Sequence, residues 1–180
     1  MMMRWVAVVF VSLGIMDSAA LGQSIGDTRC KDPTYTAMAV DKIKKALSGV
    51  VDAVETVPPD EAEYIRSESG KALEQQNAAR FNAVAGRRFY AAFQFHEEAN
   101  VAVENLNAAR SAGGRDQARY LVVVLSRIGE LQEKMPEYLS ADRKRAQPLV
   151  NDGIRDKMYF FLPTAKAMTV SLLQCVISVL

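Results

Sequence analysis

The chain has 180 residues, a formal net charge of +1, 49% hydrophobic and 24% charged residues, two cysteines and one histidine. That length fits a single domain, and the composition is that of an ordinary globular protein rather than a disordered or fibrous one. Balanced charge projects no long-range field, so nothing in it recruits nucleic acid or an anionic membrane as partner.

The first 22 residues read as a cleavable export signal. Arg4 supplies the positive start, and Trp5 to Met16 form an apolar run. Small residues then offer cleavage after Ala20 or after Gly22. A basic start, about a dozen apolar residues and a small-x-small site match the secretory pattern, and the run is short for a bilayer span. Residues 23–180 are then expected to form one extracytoplasmic domain, periplasmic or secreted. Its two cysteines, Cys30 and Cys175, lie near its two ends. An even, minimal count in an oxidising compartment reads as one disulfide. Closing a loop of about 145 residues would stabilise by roughly 5 kcal/mol in the chain-entropy picture. Neither cysteine has a CxxC partner, which speaks against redox catalysis and zinc.

Helical periodicity follows. Val40, Ile43, Leu47, Val50, Val54 and Val57 recur in steps of three and four, a helical seam that Pro58 and Pro59 end. A sparse stripe, Ala62, Ile65, Ser69, Ala72, Gln76, Ala79 and Ala83, predicts a second helix ending near Gly86, or one continuing to Gly113. The third helix is expected to carry its seam on Phe89, Phe93, His96, Asn100, Val103 and Leu106, flanked by Ala92 and Ala99, with Gly113-Gly114 as a turn. A fourth puts Leu121, Leu125, Ile128 and Met135 on one face, with Val122 and Leu131 beside it, until Pro136 interrupts it. A short segment from Leu149 to Leu162 follows, and Pro163 is expected to open the last helix. No stretch alternates with a period of two. The fold class is therefore all-α, an antiparallel bundle of four to five helices. With alternating directions, both cysteines fall toward one end, as a disulfide requires.

Chemistry is sparse. His96, on the expected seam of the third helix, could serve as an axial haem ligand opposite Met38, Met135, Met158 or Met168, or as a general base. A core or edge histidine bonded to a polar neighbour is the simpler reading, since no CxxCH motif is present. One histidine cannot supply paired ExxH motifs for a di-iron site. Glu97 and Glu98 are adjacent on a helix and do not face each other, and Glu61, Glu63 and the run Arg143-Lys144-Arg145 read as solvated helix surface. No catalytic residue, metal or cofactor is expected. The segment from Ala167 to Leu180 has no charge at all. After an export leader such a tail can signal a GPI anchor, with Asn151-Asp152-Gly153 as attachment site. The intervening Tyr159, Phe160, Phe161 and Leu162 depart from the usual polar spacer. The alternative is a core helix tied back to Cys30, with no transmembrane helix in the mature chain. The expected function is binding or structural, toward an unknown protein or small molecule. The alternatives are a haem- or small-ligand-binding bundle around His96 and a lipid-anchored surface protein.

Overall fold

A computed structural model describes residues 28–143 and 152–180. The expected export leader at 1–22, Lys144, Arg145 and Asn151 lie outside the described residues. Within them the chain is all-helical, with six α-helices and no strand. A 3-10 turn at Thr28–Lys31 leads into α1 (Pro33–Val51). Asp32 caps that helix by accepting the Thr34 N–H at 2.8 Å, and Pro33 supplies a first-turn φ at no hydrogen-bond cost. Next come α2 (Pro59–Glu74) and α3 (Ala78–Ala85), then α4 (Tyr90–Ser111), α5 (Gly114–Arg143) and α6 (Asp152–Ile177).

Four of the six, α1, α4, α5 and α6, close into a bundle in which each packs on the next in cyclic order. Their directions are fixed by contacts at known depth. At one end Asp41 pairs with Arg110 and Lys44 donates to Asn107, while at the other end Glu55 meets His96, so α1 and α4 are antiparallel. The two-residue turn between α4 and α5 reverses the chain, with Gly114 at φ +57°, a left-handed conformation that a side chain would strain. The Cys30–Cys175 disulfide, Cα–Cα 5.5 Å, joins the start of α1 to the end of α6. The expected bridge is present, although the route to it differs. Residues 59–85 do not form a full-length bundle member. They make a short hairpin, α2 and α3, that leaves and rejoins the bundle at the end remote from the disulfide.

The core of the bundle is one cluster drawn from all four of its helices. From α1 it takes Val40, Ile43, Leu47 and Val50, with Val54 just beyond, as the seam predicts. Gly49 has no side chain where the Phe161 ring of α6 approaches, 3.4 Å from the position a Cβ would occupy. On α4 the buried positions are Tyr90, Ala92, Phe95, Ala99, Ala102, Leu106 and Ala109. The expected seam of Phe89, Phe93, His96, Asn100 and Val103 is thus rotated by about one residue, and only Leu106 belongs to both. Alanines carry the true seam, and they give a weak periodic signal. Phe89 and Phe93 instead join Phe81 and Ala85 around a second small core of Ile65, Val84 and Tyr90, beneath the α2–α3 hairpin. The aromatic residues that cover more than one face of α4 do so because they serve two cores.

Two helix ends are also corrected. Pro136 does not interrupt α5, and Pro163 does not open α6; both sit inside helices. Each proline ring is on the exposed side. The carbonyl four residues earlier, deprived of its donor, is then on the solvent side, where water can replace the bond. α2 also stops sooner than the stripe suggests. Gln76 takes a left-handed φ of 50°, and Asn77 caps α3 by accepting the Arg80 N–H at 3.0 Å. Residues 60–112 are therefore three helices. Because Pro136 is exposed and mid-helix, Pro136→Ala should raise the urea midpoint, by about 1–3 kcal/mol of unfolding free energy. An unchanged or lower midpoint by far-UV circular dichroism would show that the proline is needed where it is.

Candidate functional site: a groove beside the only histidine

The chain leaves α1 at Val51 and crosses to α2 through Asp52–Pro58. A non-helical crossing exposes backbone polar groups that must find partners. Glu55 is where they find them. Its N–H donates to the Tyr138 hydroxyl of α5 at 3.0 Å, and its carbonyl lies 2.9 Å from Nε2 of His96 on α4. Arg88 binds its carboxylate at 3.0 Å. A carbonyl only accepts, so Nε2 of His96 carries the proton and Nδ1 holds the lone pair. His96 is thus a half-buried anchor for the crossing, off the core seam.

Beside it lies a groove of about 250 Å³ between the crossing, α2 and α4, lined by Thr56, Val57, Ala62, Arg66, Phe93, His96, Glu97 and Asn100. Arg66 pairs with Glu97 at 2.8 Å across the rim, and its guanidinium sits 5.5 Å from the Phe93 ring centre. Its lining offers one aromatic ring, Phe93, with a hydroxyl, an amide, an imidazole and one cation–carboxylate pair. Such a site can hold a small polar or amphipathic solute by stacking and hydrogen bonding. No methionine lines it: Met135 and Met158 are in the bundle core, Met168 packs against that core, and Met38 is exposed on α1.

Charge holds the hairpin that forms one wall. Arg80 on α3 binds Glu68 on α2 through two nitrogens, and Lys71 adds a third contact to the same carboxylate. Arg87 pairs with Glu61 at 2.6 Å and stacks 4.3 Å from the Tyr64 ring centre. The Arg80 hydrogen bonds, with those of Lys71, hold the Glu68 carboxyl below its ordinary value. The carboxylates that looked like solvated surface are mostly engaged. Glu97 and Glu98 diverge: Glu97 goes to Arg66, while Glu98 receives Arg127 and Lys134 from α5, each at 3.0 Å. Burial alone would raise the Glu98 carboxyl, but the Lys134 hydrogen bond and the nearby charges of Lys134 and Arg127 outweigh it and hold it low. Glu63 is exposed. Among the described residues, no three His, Cys, Asp or Glu side chains are grouped to hold a metal ion. The feature that sequence reasoning missed is the crossing itself. Its only signal was a histidine followed by no obvious partner.

No protein family matches this chain, nor does any curated protein or solved structure.

Because the folded state lowers the Glu68 value, the stability from its pairs is present above the ordinary glutamate value of 4.5 and lost as pH falls through the lower folded one. Hydrogen exchange followed from pH 7 down through the acid range should therefore show α2 and α3 opening before α1, α4, α5 and α6. Simultaneous loss of protection in all six helices would refute a charge-held hairpin.

Proposed function

We propose that this chain is exported to an oxidising compartment, periplasmic or extracellular, and acts there by binding as a disulfide-closed helical bundle rather than as an enzyme. The observation that carries the proposal is the Cys30–Cys175 bridge, which uses both cysteines of the chain. Such bridges persist outside the reducing cytosol, and the apolar, small-residue-ended leader at 1–22 is consistent with that route. A binding rather than catalytic role is supported by how the polar groups are used. His96 secures a backbone crossing, and Arg66 and Glu97 neutralise one another at the groove rim.

The uncharged tail is best read as part of the fold rather than as a discarded anchor signal. Arg155–Ile177 is long and apolar enough to cross a membrane by length and composition. Yet Met158, Leu162, Ala165, Leu172 and Val176 are buried in the core shared with α1, α4 and α5. Cleavage near Asn151 would remove one of four bundle helices and half of the disulfide. Intact mass of the secreted protein tests the reading. The expected chain begins at Leu21 or Gln23, ends at Leu180, and takes up two alkyl groups only after reduction. A chain ending near Asn151 with added glycolipid mass would overturn it.

A second reading is favoured by the groove: a small solute, below the size of the usual drug-sized ligand, stacked on Phe93 beside His96. It is smaller than a haem site needs, and Nε2 of His96 is already committed to Glu55. A ligand-observed NMR screen of aromatic carboxylic acids should return weak hits that Phe93→Ala abolishes. Hits that survive Phe93→Ala, or none, would dispose of the groove as a ligand site.

A further inference from the structure

Most bundle helices present one apolar stripe inward and a charged face outward. α6 has two apolar stripes. The inner one, Met158, Leu162, Ala165, Thr169, Leu172 and Val176, is buried. On the opposite side Phe160, Pro163, Ala167, Val170, Gln174 and Ile177 recur in steps of three, four, three, four, three. Phe160 is 64% and Ile177 54% exposed; Pro163, Ala167 and Gln174 are exposed and Val170 half-buried. From Met158 to Leu180 the only charge is Lys166. Among the described residues the bundle therefore leaves unpartnered a stripe with the spacing of a helix-pairing seam.

We infer that this outer seam is a self-association surface, on which α6 of a second copy packs antiparallel about a two-fold axis. The residues are complementary to themselves in that arrangement. With the axis between Met168 and Thr169, Phe160 meets Ile177 of the second copy, Pro163 meets its Gln174, and Ala167 meets its Val170. Large residues then close the two ends, and small ones allow close approach at the centre. Lys166 falls opposite a serine, so no like charges are opposed, and the same patch serves both copies as a two-fold interface requires. A lipid surface would need apolar residues but not this spacing, and the basic residues that headgroups attract stand only at the start of the stripe, where Arg155 and Lys157 flank Asp156, with none at its other end. A seam about 26 Å long and one helix wide places the interface near the lower bound, roughly 1,000 Å², for specific association. The dimer is accordingly weak and concentration-dependent.

Light scattering on the full, oxidised chain over a concentration series tests this. Wild type should move from monomer to dimer as concentration rises. Ala167→Glu and Ala167→Lys, both at an exposed helical position, should each weaken association by about tenfold or more. Equimolar mixing of those two variants should restore the dimer mass, since position 167 lies only about one turn from its counterpart across the axis. Three results would overturn the inference. One is a dimer insensitive to both charges. Another is a monomer at all concentrations that sediments with phosphatidylcholine vesicles, which would make the stripe a lipid surface. The last is a plain monomer at every concentration, with no affinity for vesicles, which would leave the stripe with no second copy on it.

Discussion

How closely α4 can approach its neighbours decides this architecture. Four of its seven buried positions are alanine, at 92, 99, 102 and 109, with Tyr90, Phe95 and Leu106 as the large residues among them. Methyl-sized side chains bring the helix axis near α5 and α1, and Phe95 fills the wider space above, against Tyr138. Alanine is also the strongest helix former, so the same choice that permits close packing stabilises the helix that packs. Larger residues on this seam would push α4 outward. The ring of α1, α4, α5 and α6 would then not close, and the crossing held by Tyr138 and His96 would lose its supports.

The two ends of the bundle are secured by different physics. At one, a covalent bridge joins the first turn of the domain to the last helix. At the other, the α2–α3 hairpin rests on a core of three buried residues and a set of arginine–carboxylate pairs. Pairs of that kind in partly exposed positions contribute little each and weaken with salt. The molecule thus has a stiff end and a soft one, and local opening belongs to the soft end. The groove beside His96 sits there too, where one wall can adjust to an occupant while α4 stays fixed.

Much of this was legible in the residues, and the exceptions have causes. The α1 seam was readable because valine, isoleucine and leucine mark a face strongly. The α4 seam was not, because alanine does so feebly while aromatic residues bound for the second core drew the reading one position round the helix. Pro136 and Pro163 were misleading as helix breakers because their cost depends on which face they occupy, and a sequence does not state the face. The hairpin turn rests on a left-handed glutamine, a conformation with no residue signature. Cys30 and Cys175 could be paired by count and compartment alone. The groove could not be found at all, since Thr56, Arg66 and Asn100 become neighbours only once the crossing is pinned.

The bridge has one more consequence, mechanical rather than thermodynamic. It joins two residues 145 positions apart, close to both ends of the described domain. Tension applied through the termini therefore passes from Cys30 to Cys175 across a single covalent link. The helices between them lie in a closed loop off the load path. Whatever this protein is tethered to at either end, stretching would strain the bridge and its flanking turns and leave the bundle unloaded. Reduction would put every helix in series with the force.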